Sequence, residues 1–125
     1  MPALAIAVTA SFALCAASPR ITCVVDGDTF WLAGEKVRIA DINAPETHNA
    51  ACAGEAARGE LATLRLLALL NAGPFELEVG RRDRDRYGRL LRTVTRGGRS
   101  LGAQLVDEGL AEVWKGRRGD WCGLR

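Results

Sequence analysis

One change of period constrains this chain more than any other feature. From about Ala53 to Asn71 the residues Ala56, Leu64, Leu67 and Leu70 recur at helical spacing, and Gly73-Pro74 halts the run. An amphipathic helix of about five turns is predicted there. The segments around it read as strands. Ile21–Val25, Thr29–Ala33 and Lys36–Ile42 are rich in β-branched and aromatic residues and are separated by turns at Asp26 to Asp28 and at Gly34, which predicts a β-meander. Beyond the helix, Phe75–Gly80 alternates apolar with acidic residues and Leu90–Thr95 follows a basic stretch, so two more strands joined by a charged hairpin are expected. Ser100 then caps a short helix, Leu101–Glu108, that ends at Gly109. The fold class expected is α+β, mainly β with helices: a five-stranded barrel of the OB type with one helix inserted after strand three and a short C-terminal helix.

At 125 residues the chain has room for one hydrophobic core. Hydrophobic residues at 48% against charged residues at 26% separate it from disordered sequences, so it should fold by itself. Residues 19–125 are read as a single domain. Residues 1–18 read in two ways. The stretch is apolar and Ala-rich, as a signal peptide is, yet no Lys or Arg precedes its apolar part. In the other reading Ala7 to Leu14 is a native edge strand of the fold. The stretch is too short for a membrane span, and no membrane partner is expected.

Cys15, Cys23, Cys52 and Cys122 form an even set without a CxxC pair, which argues against structural zinc and for two disulfides in an oxidising compartment. A secreted or periplasmic location is expected. Cys15 and Cys23 would cross-link the arms of a hairpin around Ser18-Pro19, leaving Cys52 with Cys122. The second bridge would close a ~70-residue loop, worth roughly 4 kcal/mol in the chain-entropy picture.

The net charge of +2 hides an asymmetry. Residues 1–80 hold five Lys and Arg against nine Asp and Glu, whereas residues 81–125 hold twelve against six. Arg81, Arg82, Arg84, Arg86, Arg89, Arg92, Arg96 and Arg99 crowd together, and guanidinium groups suit bidentate contact with phosphate. A polyanionic partner fits this surface; a solvated charged hairpin is the plain alternative.

Three segments carry candidate chemistry. Asp26-Gly27-Asp28-Thr29 puts two carboxylates at a hairpin tip, where they repel each other unless a cation neutralises them, and oxygen ligands favour calcium or magnesium over zinc. In Val37-Arg38-Ile39, Arg38 points away from the apolar face, and the stiff Asn43-Ala44-Pro45-Glu46 exit can hold Glu46 in a defined place. Asp85-Arg86-Tyr87-Gly88-Arg89 suggests a turn with an aromatic available for stacking, followed by an arginine fixed at the start of a strand. Taken singly, each segment is also an ordinary turn or a surface charge.

Their order is more specific than any one of them. VDGDT, VRIADINAPE, DRYGR and EGLA, between about Thr22 and Val113, resemble the staphylococcal nuclease family. The resemblance implies a calcium-dependent endonuclease that cuts DNA and RNA with low sequence specificity, releasing the 5′ oxygen to leave 3′-phosphate products. It implies catalytic positions at Arg38, Glu46 and Arg89 and calcium positions at Asp28, Asn43 and the Ala44 carbonyl, with Asp26 beside the metal. Arg86 and Tyr87 fall where the family contacts substrate phosphate and sugar. The chain departs from the pattern at Asn43, where the family has Asp, so one anionic ligand becomes a neutral amide oxygen. The long terminal helix and the substrate-stacking tyrosines of the type enzyme have no match here. Trp114 and Trp121 are expected to pack, with stacking on substrate as the alternative. DNA and RNA are the expected partners of a monomer. The rival readings are a catalytically weak OB-type module that binds single-stranded nucleic acid, and an exported disulfide-stabilised domain with a protein partner.

Overall fold

A computed structural model describes residues 7–123. Residues 1–6, the start of the stretch read either as a signal peptide or as an edge strand, lie outside the described residues. The elements run in order as β1 (Ala13–Leu14), β2 (Cys23–Asp26), β3 (Thr29–Leu32), β4 (Glu35–Ile39), β5 (Ile42–Asn43), α1 (Ala53–Asn71), β6 (Glu76–Arg84), β7 (Leu90–Arg96), β8 (Arg99–Ser100), α2 (Leu101–Asp107) and β9 (Glu112–Val113). The class is α+β. The main sheet has the order β1-β2-β3-β4-β7-β6, with β8 also paired to β7, and a separate small sheet joins β5 to β9. Pairing is parallel for β1–β2 and β4–β7 and antiparallel elsewhere. The described residues therefore hold more strands than the five expected, because short segments at residues 13 and 99 join the main sheet and those at 42 and 112 form the small one, pairings that their length alone does not announce.

Helix α1 occupies the range its periodicity predicts. Its core face is another matter. Leu64 is 53% exposed, and the buried stripe runs instead through Gly59, Ala62, Leu66, Leu69 and Leu70. Leucines surround this helix, so hydrophobicity alone does not select the phase; small residues do, where the helix backbone approaches its neighbours. A Cβ on Gly59 would lie 2.6 Å from the carbonyl oxygen of Glu46, and one on Gly27 would lie 2.7 Å from the Cβ of Ala62.

The basic stretch after Gly80 is part of strand β6, not of the hairpin loop. Its arginines are largely engaged. Arg84 pairs with Glu35 at 3.1 Å and Arg92 with Asp83 at 2.8 Å, while Arg96 donates to the carbonyls of Leu69, Gly73 and Pro74 at the end of α1. Satisfying those terminal carbonyls is a structural task, and it removes Arg96 from any substrate surface.

Phe12, Phe30 and Phe75 meet at the centre of the core, with ring centroids 5.7 to 6.4 Å apart and edge-on or tilted geometry. Phe12 arrives from the N-terminal segment. Its backbone exchanges two hydrogen bonds with the Asn71 amide, Phe12 N–H to Oδ1 at 2.8 Å and Nδ2–H to Phe12 O at 3.0 Å. Val8 and Phe75 likewise exchange backbone hydrogen bonds. The segment thus touches both β2, through β1, and the residue before β6. Both expected disulfides, Cys15–Cys23 and Cys52–Cys122, are formed.

Candidate active site

The β2–β3 turn carries Asp26 and Asp28 into a cleft of about 460 Å³ that Arg38, Asn43, Glu46 and Arg89 also line. Asp28 is only 4% exposed. One of its oxygens accepts from the Thr29 hydroxyl at 2.9 Å, and the other accepts from the Ala44 N–H at 2.9 Å and faces an Arg38 nitrogen at 3.5 Å. The Asp28 N–H in turn donates to Asp26 at 3.3 Å. Burial, followed by the adjacent Asp28 charge, pushes the Asp26 carboxyl up to about 8. A cation placed beside Asp26 and Asp28 would relieve this repulsion.

Asn43 lies on β5, buried, directly opposite Glu112 of β9. Its amide nitrogen donates to Glu112 Oε2 at 2.8 Å, which turns the amide oxygen toward Arg38, 3.5 Å from a guanidinium nitrogen. Asp41 points elsewhere, accepting from the Ser100 hydroxyl at 2.6 Å, so it does not substitute for the missing carboxylate at position 43. Side-chain oxygens of Asp26, Asp28 and Asn43 therefore face one part of the cleft with no nitrogen or sulfur ligand among them. Among the described residues no three acidic, His or Cys side chains are grouped closely enough to hold a metal ion by themselves. This donor set fits a hard divalent cation that is held by few protein charges.

Arg38 is oriented by the backbone. Its Nη1 donates to the carbonyls of Ile39 and Ile42, and its guanidinium lies 5.6 Å from the Trp114 ring centroid. Arg89 is oriented by Asp85, whose Oδ2 accepts from Nε at 2.6 Å, leaving the two terminal nitrogens for an anion. Asp85 also accepts from the N–H groups of Tyr87 and Arg89 and so builds the turn around Gly88, which has φ of +83°. Burial raises the Asp85 carboxyl, but these N–H donors and the Arg89 guanidinium outweigh it and hold the group below its usual range. Tyr87 is 68% exposed between two guanidinium groups, those of Arg86 and Arg89 at 4.9 and 5.4 Å from its centroid. Arg38, Arg86, Tyr87, Arg89 and Trp114 also border an adjoining cleft of about 480 Å³.

Glu46 also lines the first cleft. Glu55, the third residue of α1, holds its loop: Glu55 accepts from the N–H groups of Ala51 and Glu46 at 2.9 Å each, which lowers the Glu55 carboxyl from its usual range. The loop is pressed against Gly59 one turn further on. The Glu46 carboxylate meets Arg118 at 3.2 Å. Eight of the nine site residues named from the sequence, Asp26, Asp28, Arg38, Asn43, Glu46, Arg86, Tyr87 and Arg89, line this cleft; the ninth, Ala44, is buried with its N–H on Asp28, and Trp121 lies apart against Arg58.

Sequence reasoning missed Glu55, Gly59, Glu112 and Arg118. An acidic residue three positions after a helix cap is a readable signal, and Glu55 after Cys52 has that spacing. The other three depend on long-range contacts and leave no local trace.

The family model described as staphylococcal nuclease homologue matches residues 36–120. Two curated relatives from Bacillus subtilis (strain 168), Endonuclease YncB and SPbeta prophage-derived endonuclease YokF, are each 39% identical over 94 residues, 71% of this chain. The chain spans 44% of the first and 31% of the second.

Proposed function

The chain belongs to the staphylococcal nuclease family, and from that premise we propose that it is a calcium-dependent endonuclease hydrolysing phosphodiester bonds of DNA and RNA with low sequence specificity. The observation that carries the reading is the convergence of Asp26, Asp28, Arg38, Asn43, Glu46 and Arg89 on one cleft. Asp28, the Asn43 amide oxygen and the Ala44 carbonyl would hold calcium, with Asp26 beside it. When bound, the ion supplies positive charge to the phosphate and lowers the cost of forming hydroxide from water.

Glu46 takes the proton of the attacking water as its oxygen forms the new bond to phosphorus and the bond to the 5′ oxygen breaks. Arg38 and Arg89 stabilise the charge that builds on the phosphoryl oxygens, and both are preorganised by the backbone carbonyls and by Asp85. A guanidinium does not give up its proton readily, so solvent protonates the leaving oxygen. Arg86 and Tyr87 contact the flanking phosphate and sugar. Contacts aimed at the backbone need no base readout, which accounts for low sequence specificity.

The strand order β2-β3-β4-β7-β6 and the Val8–Phe75 bridge support reading the sheet as an OB-type barrel, formed by residues 19–125 as a single domain with residues 8–14 as an edge segment. Two disulfides support a secreted or periplasmic location, and no helix among the described residues is long and apolar enough to cross a membrane.

The test is cleavage of single-stranded DNA with calcium and with a chelator. Glu46→Gln should keep DNA binding while losing about two orders of magnitude or more in cleavage rate, and Arg38→Ala and Arg89→Ala should each lose a similar amount. Cleavage by Glu46→Gln at the parent rate would remove Glu46 from its role. Asn43 favours the second reading, a catalytically weak nucleic-acid-binding module, since one ligand charge is missing. DNA binding without calcium-stimulated cleavage would select it.

A further inference from the structure

After β9 the chain turns at Gly116, with φ of +85°, and Arg118 beyond the turn lines the cleft. Two anchors fix this segment. The Gly119 N–H donates to Glu112 at 2.6 Å, and Cys122 is bonded to Cys52 at the cap of α1. Arg118 immediately precedes the first of them. Its guanidinium reaches Glu46 at 3.2 Å and Glu55 at 3.5 Å, yet its side chain is 50% exposed.

Neither carboxylate explains that guanidinium by itself. Glu55 is already satisfied by two backbone N–H donors. The Arg118 end of both pairs is half open to water and Glu46 is itself partly exposed, so the Arg118–Glu46 pair is of the weak, readily exchanged kind. The Asp28 and Glu46 carboxylates line this cleft, so a phosphodiester strand approaching Glu46 meets like charge. We propose that Arg118 is a substrate-phosphate contact, delivered to the Glu46 side of the cleft by a tail that the Cys52–Cys122 bridge pins in place. A guanidinium beside Glu46 supplies positive charge that Arg38, held next to Asp28, and Arg89, paired with Asp85, do not, and transfer of Arg118 from Glu46 to phosphate frees the carboxylate to accept a proton. The inference rests on the nuclease reading for its substrate class.

The test is binding of a fluorescent oligothymidylate in the presence of a chelator, measured over a salt series, alongside cleavage kinetics with calcium. Arg118→Ala should weaken binding by roughly threefold to tenfold at low salt and reduce the slope of log affinity against log salt by about 0.7, the value for one phosphate contact on a single strand. Arg118→Lys should keep the slope. In cleavage, KM should rise more than kcat falls. The Cys52→Ser, Cys122→Ser pair should reproduce the loss, and adding Arg118→Ala to it should cost little more. An Arg118→Ala protein with the parent's affinity and slope would overturn the proposal, and so would one that cuts faster than the parent, which would make Arg118 a brake. If the parent itself binds no oligothymidylate at any salt concentration, the nucleic-acid reading fails and this inference falls with it.

Discussion

Asn43 and Glu112 face each other across β5 and β9, and the hydrogen bond between them decides what the amide oxygen can do. With its nitrogen held by Glu112, the amide presents its oxygen to the cleft in the place where the family carries a carboxylate. Restoring the carboxylate alone would bring two negative groups together, since Glu112 Oε2 lies 2.8 Å from the Asn43 nitrogen. Asn43→Asp should therefore lower the melting temperature by several degrees and improve the calcium requirement little. Asn43→Asp combined with Glu112→Gln gives the new carboxylate an amide donor. That pair should recover part of the melting temperature, since Glu112 Oε2 also accepts from the Gly119 N–H, and lower the calcium concentration for half-maximal cleavage by about tenfold if ligand charge dominates. Calcium titrations and thermal melts of both proteins at fixed pH and ionic strength check this; equal behaviour of the single and double variants would show that Glu112 imposes no constraint. At this scale the sequence motif names the residue at position 43, but its partner 69 positions away comes only from the pairing of β5 with β9.

At the scale of elements, the placement of Glu46 is a property of α1. The loop from Pro45 is held between the Glu55 carboxylate and the flat face at Gly59, where a Cβ would stand 2.6 to 2.9 Å from the carbonyls of Glu46 and Pro45. Backbone atoms cannot yield there as a flexible side chain could. Gly59→Ala should cost about 1 to 3 kcal/mol of stability, the usual range for overpacking. It should also reduce cleavage by displacing Glu46, with oligothymidylate binding in a chelator changed much less. Urea unfolding and the two activity measurements separate these effects; a fully stable, fully active variant would show that the close approach is dispensable. The extent of α1 is legible in the sequence because Gly73-Pro74 and the long apolar run bound it. Its phase is not, because leucines at 61, 64, 66, 67, 69 and 70 leave the choice to Gly59 and Ala62. Likewise, β6 continues through a run of arginines that reads as loop, because β7 and the ion pairs from Arg84 and Arg92 support it.

Across the whole molecule, the basic half of the sequence does not become a uniformly basic surface. Arg84, Arg89 and Arg92 pair with acidic groups and Arg96 closes a helix end, so counting charges along the chain overstates what a polyanion meets. Composition records the charges and not their partners. The N-terminal segment shows the opposite error. An apolar, Ala-rich stretch read equally as a leader or as a strand contributes Phe12 to the centre of the core, against Phe30 and Phe75, and its backbone is held by Asn71 and bridged to Phe75 at Val8. Phe12→Ala would remove a ring that is 7% exposed and that joins β1 to the far end of the sheet. A loss of about 3 to 5 kcal/mol is expected, as for other buried Phe to Ala changes. In a domain whose total stability is on the order of 5 to 15 kcal/mol this is a large fraction, so the urea midpoint should fall steeply while the slope of the transition stays near that of the parent. The Cys15–Cys23 bridge, one residue beyond β1, keeps the segment tethered in the variant, so the change reports packing and not detachment of the chain. An unaltered midpoint would mean that residues 8–14 contribute nothing to the core in solution, and the remaining sheet would then have to bury Phe30 and Phe75 without them.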